Sequence, residues 1–209
     1  MEIILVRHGE TEWNVKKIFR GRKDIGLSDK GFKQAEYLGK YLSDMDIEAI
    51  YSSPLRRAID TANQIAKFQS QNKIIFTDDL VDFNYGEWEG KSEDEVKEKY
   101  GSLFEEWYNE PSSLKIPGGE KLNDVRERAL RLIDEVINKY KKRVVLVSHR
   151  VVNKVLICAL LELDHSHFWN IKLDLGGITV FNYQDSRFIL IKHNDTTYLQ
   201  KGLKHLNDF

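Results

Sequence analysis

Short β-branched apolar runs alternate with amphipathic stretches along this chain, and that alternation admits few folds. The runs Ile3 to Val6, Ala49 to Tyr51, Lys73 to Thr77 and Arg143 to Ser148 are nearly continuous in apolar character. Such runs suit strands buried on both faces, as in a parallel sheet. Between them, Ser28 is a good N-cap for a helix carrying Phe32, Ala35, Leu38 and Leu42. Pro54 opens a second helical pattern through Leu55, Ala58, Ile59, Ala62, Ile65 and Ala66. A charged, aromatic-containing stretch, Glu93 to Tyr108, predicts one or two helices outside the alternation. After the loop Pro111 to Gly119, a long helix places Leu122, Val125, Ala129, Leu132, Ile133, Val136 and Tyr140 on one side. A further helix is expected from about Val152 to Leu161. The runs Ile178 to Tyr183 and Arg187 to Lys192, separated by Gln184 to Ser186, predict a hairpin that adds an antiparallel edge strand. The expected fold class is α/β with a mainly parallel central sheet.

Length and charge narrow the partners. At 209 residues without a linker-like segment or repeat, one domain spanning 1–209 is expected. Lys and Arg number 32 against 33 Asp and Glu, a formal net charge of −1, so no global field attracts nucleic acid or a membrane surface. Neither partner is expected. The single cysteine, Cys158, lies in an apolar run and reads as a core residue of a reducing compartment. Ile3 to Val6 is too short and wrongly flanked for a signal peptide, and no run is long enough for a membrane span. A soluble, cytoplasmic protein is the expectation. An exposed sheet edge or the Trp169 region offers a surface for a homodimer.

Ligands of open parallel sheets bind outside the carboxyl ends of the strands. There the sequence places Arg7, His8, Gly9 and Glu10; Ser52, Ser53, Arg56 and Arg57; Asp78, Asp79 and Asp82; and His149 and Arg150. Two histidines, several arginines and a group of carboxylates therefore converge on one edge. Arginine forks and the helix start near Pro54 favour an anion such as phosphate or carboxylate. A neutral imidazole between guanidinium groups keeps a ring nitrogen for attack on phosphorus. A nearby carboxylic acid can protonate the leaving oxygen and then, as its conjugate base, activate water. Arginines and the second histidine can stabilise the phosphoryl oxygens without a metal. Two other motifs have plainer readings. Gly86 to Ser92 superficially suggests a nucleotide loop but has three residues between its glycines and no strand leading into it. His165-Ser166-His167 lacks a completing cluster for a metal and reads as the first turn of a helix after Asp164.

The segment Leu5-Val6-Arg7-His8-Gly9-Glu10-Thr11-Glu12-Trp13-Asn14 resembles the signature of the histidine phosphatase superfamily, in its phosphoglycerate-mutase-like branch. The likeness continues through Ser53-Pro54-Leu55-Arg56-Arg57-Ala58, Tyr85-Gly86-Glu87-Trp88-Glu89-Gly90, Pro117-Gly118-Gly119-Glu120, Val147-Ser148-His149 and Asn194-Asp195-Thr196. The resemblance implies a three-layer α/β/α domain and a phosphohistidine intermediate formed without metal or nucleotide cofactor. By position it implies His8 as nucleophile, with Arg7, Arg57 and His149 holding the transferring group and Asn14 and Gly21 adding phosphate contacts. Asp82 stands where the family usually has a glutamate proton donor, with Glu87 and Glu89 as alternatives. Arg20 and Arg150 replace a common glutamine and glycine, which adds substrate-binding positive charge for a second anionic group.

The implied activity is a metal-independent phosphatase for a small phosphorylated metabolite, similar to the phosphoserine-type enzymes, with sugar phosphates as alternatives. The segment 91–119 would form a helical cover and loop over the site. A cofactor-dependent phosphoglycerate mutase is the alternative enzyme, although Lys91 to Ile116 contains no arginine to hold a bisphosphate. A non-catalytic phosphate-binding module is the alternative of another class.

Overall fold

The computed structural model of the chain describes residues 1–70 and 73–204. Six strands, β1 (Glu2–Arg7), β2 (Ile47–Ser52), β3 (Ile74–Phe76), β4 (Arg143–Ser148), β5 (Ile178–Gln184) and β6 (Arg187–Asp195), form one sheet in the order β3-β2-β4-β1-β5-β6. β1, β2, β3 and β4 pair in parallel, β5 runs antiparallel to β1, and β6 pairs antiparallel with β5. The expected hairpin is therefore present, and it is β5 that opposes the parallel strands. The register aligns the ends of two central strands, so that Arg7 at the end of β1 lies beside Ser148 at the end of β4. The residues after these two strands, His8 and His149, consequently emerge together.

The pleat divides the core into two. Ile4, Val6, Ile50, Val145 and Val147 pack under α2 (Asp29–Tyr41) and α3 (Arg56–Ala66), through Leu38, Ala58, Ala62 and Ile65. Their neighbours in sequence, Ile3, Leu5, Val144 and Leu146, face α6 (Leu122–Lys139) and α7 (Arg150–Leu160), through Leu132, Ile133, Val136, Val152 and Leu156. This period-two split is what a sheet covered on both faces requires. The three-layer architecture comes from it. Cys158 is buried in α7, and burial pushes its thiol up to about 11, which keeps it an unreactive core group.

Local differences from the sequence reading have local causes. β3 is the outermost strand beside β2 and is half-exposed or exposed, so the expectation of burial on both faces fails there. The second helix starts at Arg56 and not at Pro54, and the Arg56 amide donates to Asp24 Oδ1 at 2.7 Å. A carboxylate from a distant loop thus takes the capping role that Leu55 cannot fill. Short elements went unpredicted, among them α1 (Glu12–Val15), capped reciprocally by Thr11 and Asn14, and 3₁₀ turns at Asp78–Leu80 and Gly86–Trp88. The Glu93 to Tyr108 stretch forms two helices, α4 (Glu93–Lys99) and α5 (Gly101–Asn109). The Asp164 turn is a 3₁₀ helix, His165–Asn170, with the Asp164 side chain as its cap.

Two of the sequence motifs meet in space. Gly86 has φ +50°, and a Cβ there would stand 2.2 Å from the Pro117 carbonyl oxygen and 2.5 Å from the Gly119 nitrogen. The Glu87 amide donates to that carbonyl at 3.0 Å, and the Glu120 amide donates to the Asn84 carbonyl at 2.9 Å. Only glycine permits this approach of two loops. Beneath them Trp88 and Trp107, both fully buried, join α4 and α5 to the core through Tyr85, Phe83 and Phe104.

Candidate active site

A narrow pocket at the carboxyl edge of the sheet is lined by His8, Phe19, Arg20, Asp82, Tyr85, Arg150 and Val151. His8 and Arg7 come from the end of β1; Arg57 comes from the first turn of α3; His149 caps α7 after β4. The His8 and His149 rings lie 5.2 Å apart between centroids. All four residues are essentially inaccessible to solvent.

Each ring has a defined orientation. His8 Nδ1 lies 2.6 Å from the Gly9 carbonyl oxygen, which can only accept, so Nδ1 carries the proton and Nε2 keeps its lone pair. In His149 the order is reversed. Arg57 Nε, which can only donate, lies 3.1 Å from His149 Nδ1, so the proton sits on Nε2, facing Ser53 Oγ at 2.8 Å. Burial first, and then the Arg57 guanidinium, hold both imidazoles well below their ordinary value. Both rings are therefore neutral at physiological pH.

The arginines are fixed by carbonyls. Arg7 Nη1 donates to the Leu173 carbonyl at 2.6 Å. Arg57 donates through Nη1 to the Lys23 carbonyl at 2.9 Å and through Nη2 to the Gly21 carbonyl at 2.7 Å. Gly21 reaches that position with φ +50°, where a Cβ would fall 2.0 Å from Glu89 Oε1. Asp82 completes the cluster. Its Oδ2 accepts from Arg57 Nη2 at 2.7 Å and lies 3.5 Å from His149 Nδ1, while Oδ1 accepts from the Phe83 amide at 2.9 Å.

The alternative carboxylates are engaged elsewhere. Glu89 Oε1 accepts from the Arg22 and Tyr85 amides at 2.8 and 3.3 Å, and Glu87 accepts from the Tyr100 hydroxyl at 2.7 Å. Asp82 is the carboxylate that shares the pocket wall with His8. Asn14 is buried, its Oδ1 accepts from the Thr11 amide and hydroxyl at 3.0 and 2.8 Å, and its Nδ2 has no partner among the described residues. Arg20 and Arg150, both largely buried, line the same pocket. His167 pairs with Asp164 at 3.3 Å, and among the described residues no group of three or more His, Cys, Asp or Glu side chains is arranged around a metal position.

Sequence reasoning missed two residues. Ser53 belongs to one of the family-like motifs but carried no expected role, and here its Oγ accepts from the His149 Nε2 proton whose position Arg57 dictates. Arg128 on α6 is largely buried and ties down the loop that carries Asp82, with Nε donating to Glu120 Oε1 at 2.9 Å and Nη1 to the Asp79 carbonyl at 2.8 Å. Its signal was available: Arg128 sits three residues after Val125 and one before Ala129, on the margin of the apolar stripe.

A buried neutral histidine among arginines and a carboxylate, at the carboxyl edge of a parallel sheet, marks a hydrolase of phosphomonoesters. The chain belongs to the histidine phosphatase superfamily (branch 1), whose family model matches residues 3–196. It is 37% identical over 200 residues to Phosphoserine phosphatase 1 of Hydrogenobacter thermophilus, an alignment covering 95% of this chain and 94% of that protein. YhfR of Bacillus stearothermophilus superposes with a TM-score of 0.88 at 30% identity, covering 94% of this chain and 98% of that one. A phosphoserine phosphatase of Entamoeba histolytica, solved in complex with 3-phosphoglyceric acid, gives a TM-score of 0.84 at 29% identity, covering 95% and 99%.

Proposed function

We propose that this protein is a metal-independent phosphatase of small phosphomonoesters carrying a second anionic group, with phosphoserine the foremost substrate, and that His8 is its phosphoryl acceptor. The observation that carries this reading is the His8 ring, neutral and with Nδ1 committed to the Gly9 carbonyl, which leaves Nε2 for attack.

In the first step His8 Nε2 forms a bond to phosphorus as the ester P–O bond breaks. The departing oxygen takes its proton from Asp82. Arg7, Arg57 and the Asn14 amide nitrogen offer donors to the phosphoryl oxygens, and the phosphoryl group competes with Asp82 for Arg57 Nη2. Gly21 contributes by anchoring Arg57 through its carbonyl. In the second step the Asp82 carboxylate takes a proton from water as the water oxygen attacks phosphorus and the P–N bond breaks, which releases phosphate and restores both groups. His149, neutral and held by Arg57 and Ser53, keeps the Arg57 fork in place beside His8. Arg20 and Arg150 face the remainder of the substrate, and segment 91–119 forms the cover.

Incubation with phosphoserine labelled on phosphorus tests the reading. The native protein is expected to release phosphate and to carry an acid-labile label that His8→Ala lacks. Absence of both label and release across a panel of phosphomonoesters, including 3-phosphoglycerate assayed for mutase activity, overturns it.

A further inference from the structure

The Arg150 side chain is unusual in how it is held. It leaves α7 directly after His149 and enters the pocket wall with Arg20 and Tyr85. Its guanidinium carbon lies 5.5 Å from the centroid of the Trp169 ring, within cation–π range. One turn along α7, the buried Lys154 ammonium lies 4.3 Å from the same ring and 4.8 Å from Phe168. Two cations on one helix face are thus drawn to the same indole ring, which offsets their mutual repulsion.

Trp169 is itself immobilised. Its Nε1 donates to the Trp107 carbonyl at 2.6 Å, and Tyr108 stacks on it at 4.7 Å with an interplanar angle of 22°. Phe168 packs edge-on against it at 5.0 Å. On the pocket side, Tyr85 is wedged between Phe19, Phe83 and Trp107, at 5.0, 4.8 and 5.9 Å. Burial raises the Tyr85 hydroxyl, and the neighbouring Arg150 pulls against that shift through its charge and a hydrogen bond. Stacking uses the face of a guanidinium, whereas carboxylate binding uses its edge, so the two are compatible. A long, flexible cation fixed in advance loses less freedom when a ligand arrives.

We propose that Arg150, clamped between Tyr85 and Trp169, is the group by which this pocket selects phosphomonoesters that carry a carboxylate near the phosphate. Tyr85 and Trp169 are positioning residues for that selection, and the 3₁₀ turn His165–Asn170 and helix α5 take part in it through Trp169, Trp107 and Tyr108. The inference deepens the phosphatase reading and rests on it for the location of the phosphate.

Binding to the His8→Ala protein, measured by calorimetry, tests it without turnover. O-Phosphoserine and O-phosphoethanolamine differ only in the carboxylate. The expected preference for phosphoserine is about tenfold or more, and Arg150→Ala abolishes it. Tyr85→Phe, which keeps the ring packing, and Trp169→Leu each reduce the preference several-fold, whereas Trp169→Phe retains it. The readout is the ratio of the two affinities, which divides out any loss common to both ligands. Equal affinity for the two ligands in the His8→Ala parent overturns the inference, as does a parallel weakening of both ligands in the clamp variants or an undiminished preference in Trp169→Leu. Failure of the native enzyme to release phosphate from phosphoserine would instead count against the phosphatase reading, with the ratio of affinities still deciding this one.

Discussion

The inner wall, where Arg7, Arg57 and His149 stand around His8, the one of the four that lines the pocket, is held by backbone carbonyls and by its own members at 2.6 to 3.1 Å. The outer wall, where Tyr85 and Arg150 stand, is held by ring contacts at 4.8 to 5.9 Å that reach back through α5 and the His165–Asn170 turn. Hydrogen bonds to fixed carbonyls tolerate little displacement, which suits a group that must meet phosphorus in line. Aromatic packing tolerates substitution by other apolar shapes with smaller losses. The inner wall is therefore built to suit chemistry and the outer wall to suit selection.

That contrast can be broken at several points. His8→Ala removes the attacking nitrogen and is expected to lower kcat by a factor on the order of 10⁴ or more while thermal unfolding shifts little. A variant retaining more than about a hundredth of native kcat would transfer the nucleophile elsewhere. Asp82→Asn can still accept from Arg57 but holds no transferable proton. Turnover of alkyl phosphomonoesters should fall about 10²- to 10⁴-fold. With p-nitrophenyl phosphate, whose leaving group needs no acid, the loss should be far smaller, and equal losses on both substrates would remove Asp82 from the acid role.

In the outer wall, Trp107→Ala is expected to destabilise the fold by about 3–5 kcal/mol, because a fully buried ring that touches Phe83, Phe168 and Trp169 leaves a cavity. Chemical denaturation measures this, and a change under about 1 kcal/mol would show that α5 is not continuous with the core.

The pH response separates the walls more gently. Burial and Arg57 hold His8 and His149 below the ordinary imidazole value, so the acid limb of kcat/KM belongs below about pH 6.5. The unfolded chain takes up these protons near that value while the folded one does not. Stability therefore rises with pH across the interval below about 6.5 and is lost on acidification. His8→Asn should flatten part of that slope in urea titrations at about pH 5 and about pH 7. The smallest effect expected is none: a chelator should leave phosphate release unchanged, and a loss reversed by added metal would revise the mechanism.

Much of the fold was legible in the sequence. Ser28 caps α2 as its hydroxyl and position suggest, with its Oγ accepting from the Gly31 amide at 3.1 Å, and the continuous apolar runs became β1, β2 and β4. These features depend on neighbours a few residues away. The start of α3 is displaced because its capping carboxylate, Asp24, is remote in sequence. β3 departs from the expected double burial because an apolar run does not say whether a second strand lies beside it. Ser53 and Arg128 escape a sequence reading for a related reason: a serine and a helix-margin arginine acquire roles only from the imidazole and the loop brought against them.

The sequence by itself determined the α/β alternation, the carboxyl edge and most of the residues gathered there, because strand period, helix period and motif spacing are local properties. Tertiary structure decided the tautomer of His149, the placing of Asp82 rather than Glu87 or Glu89 in the pocket wall beside His8, and the packing of Arg150 against Trp169. Each of these depends on which donor, acceptor or ring stands within a few ångströms across the fold, and hydrogen bonds and ring contacts fall off over that distance.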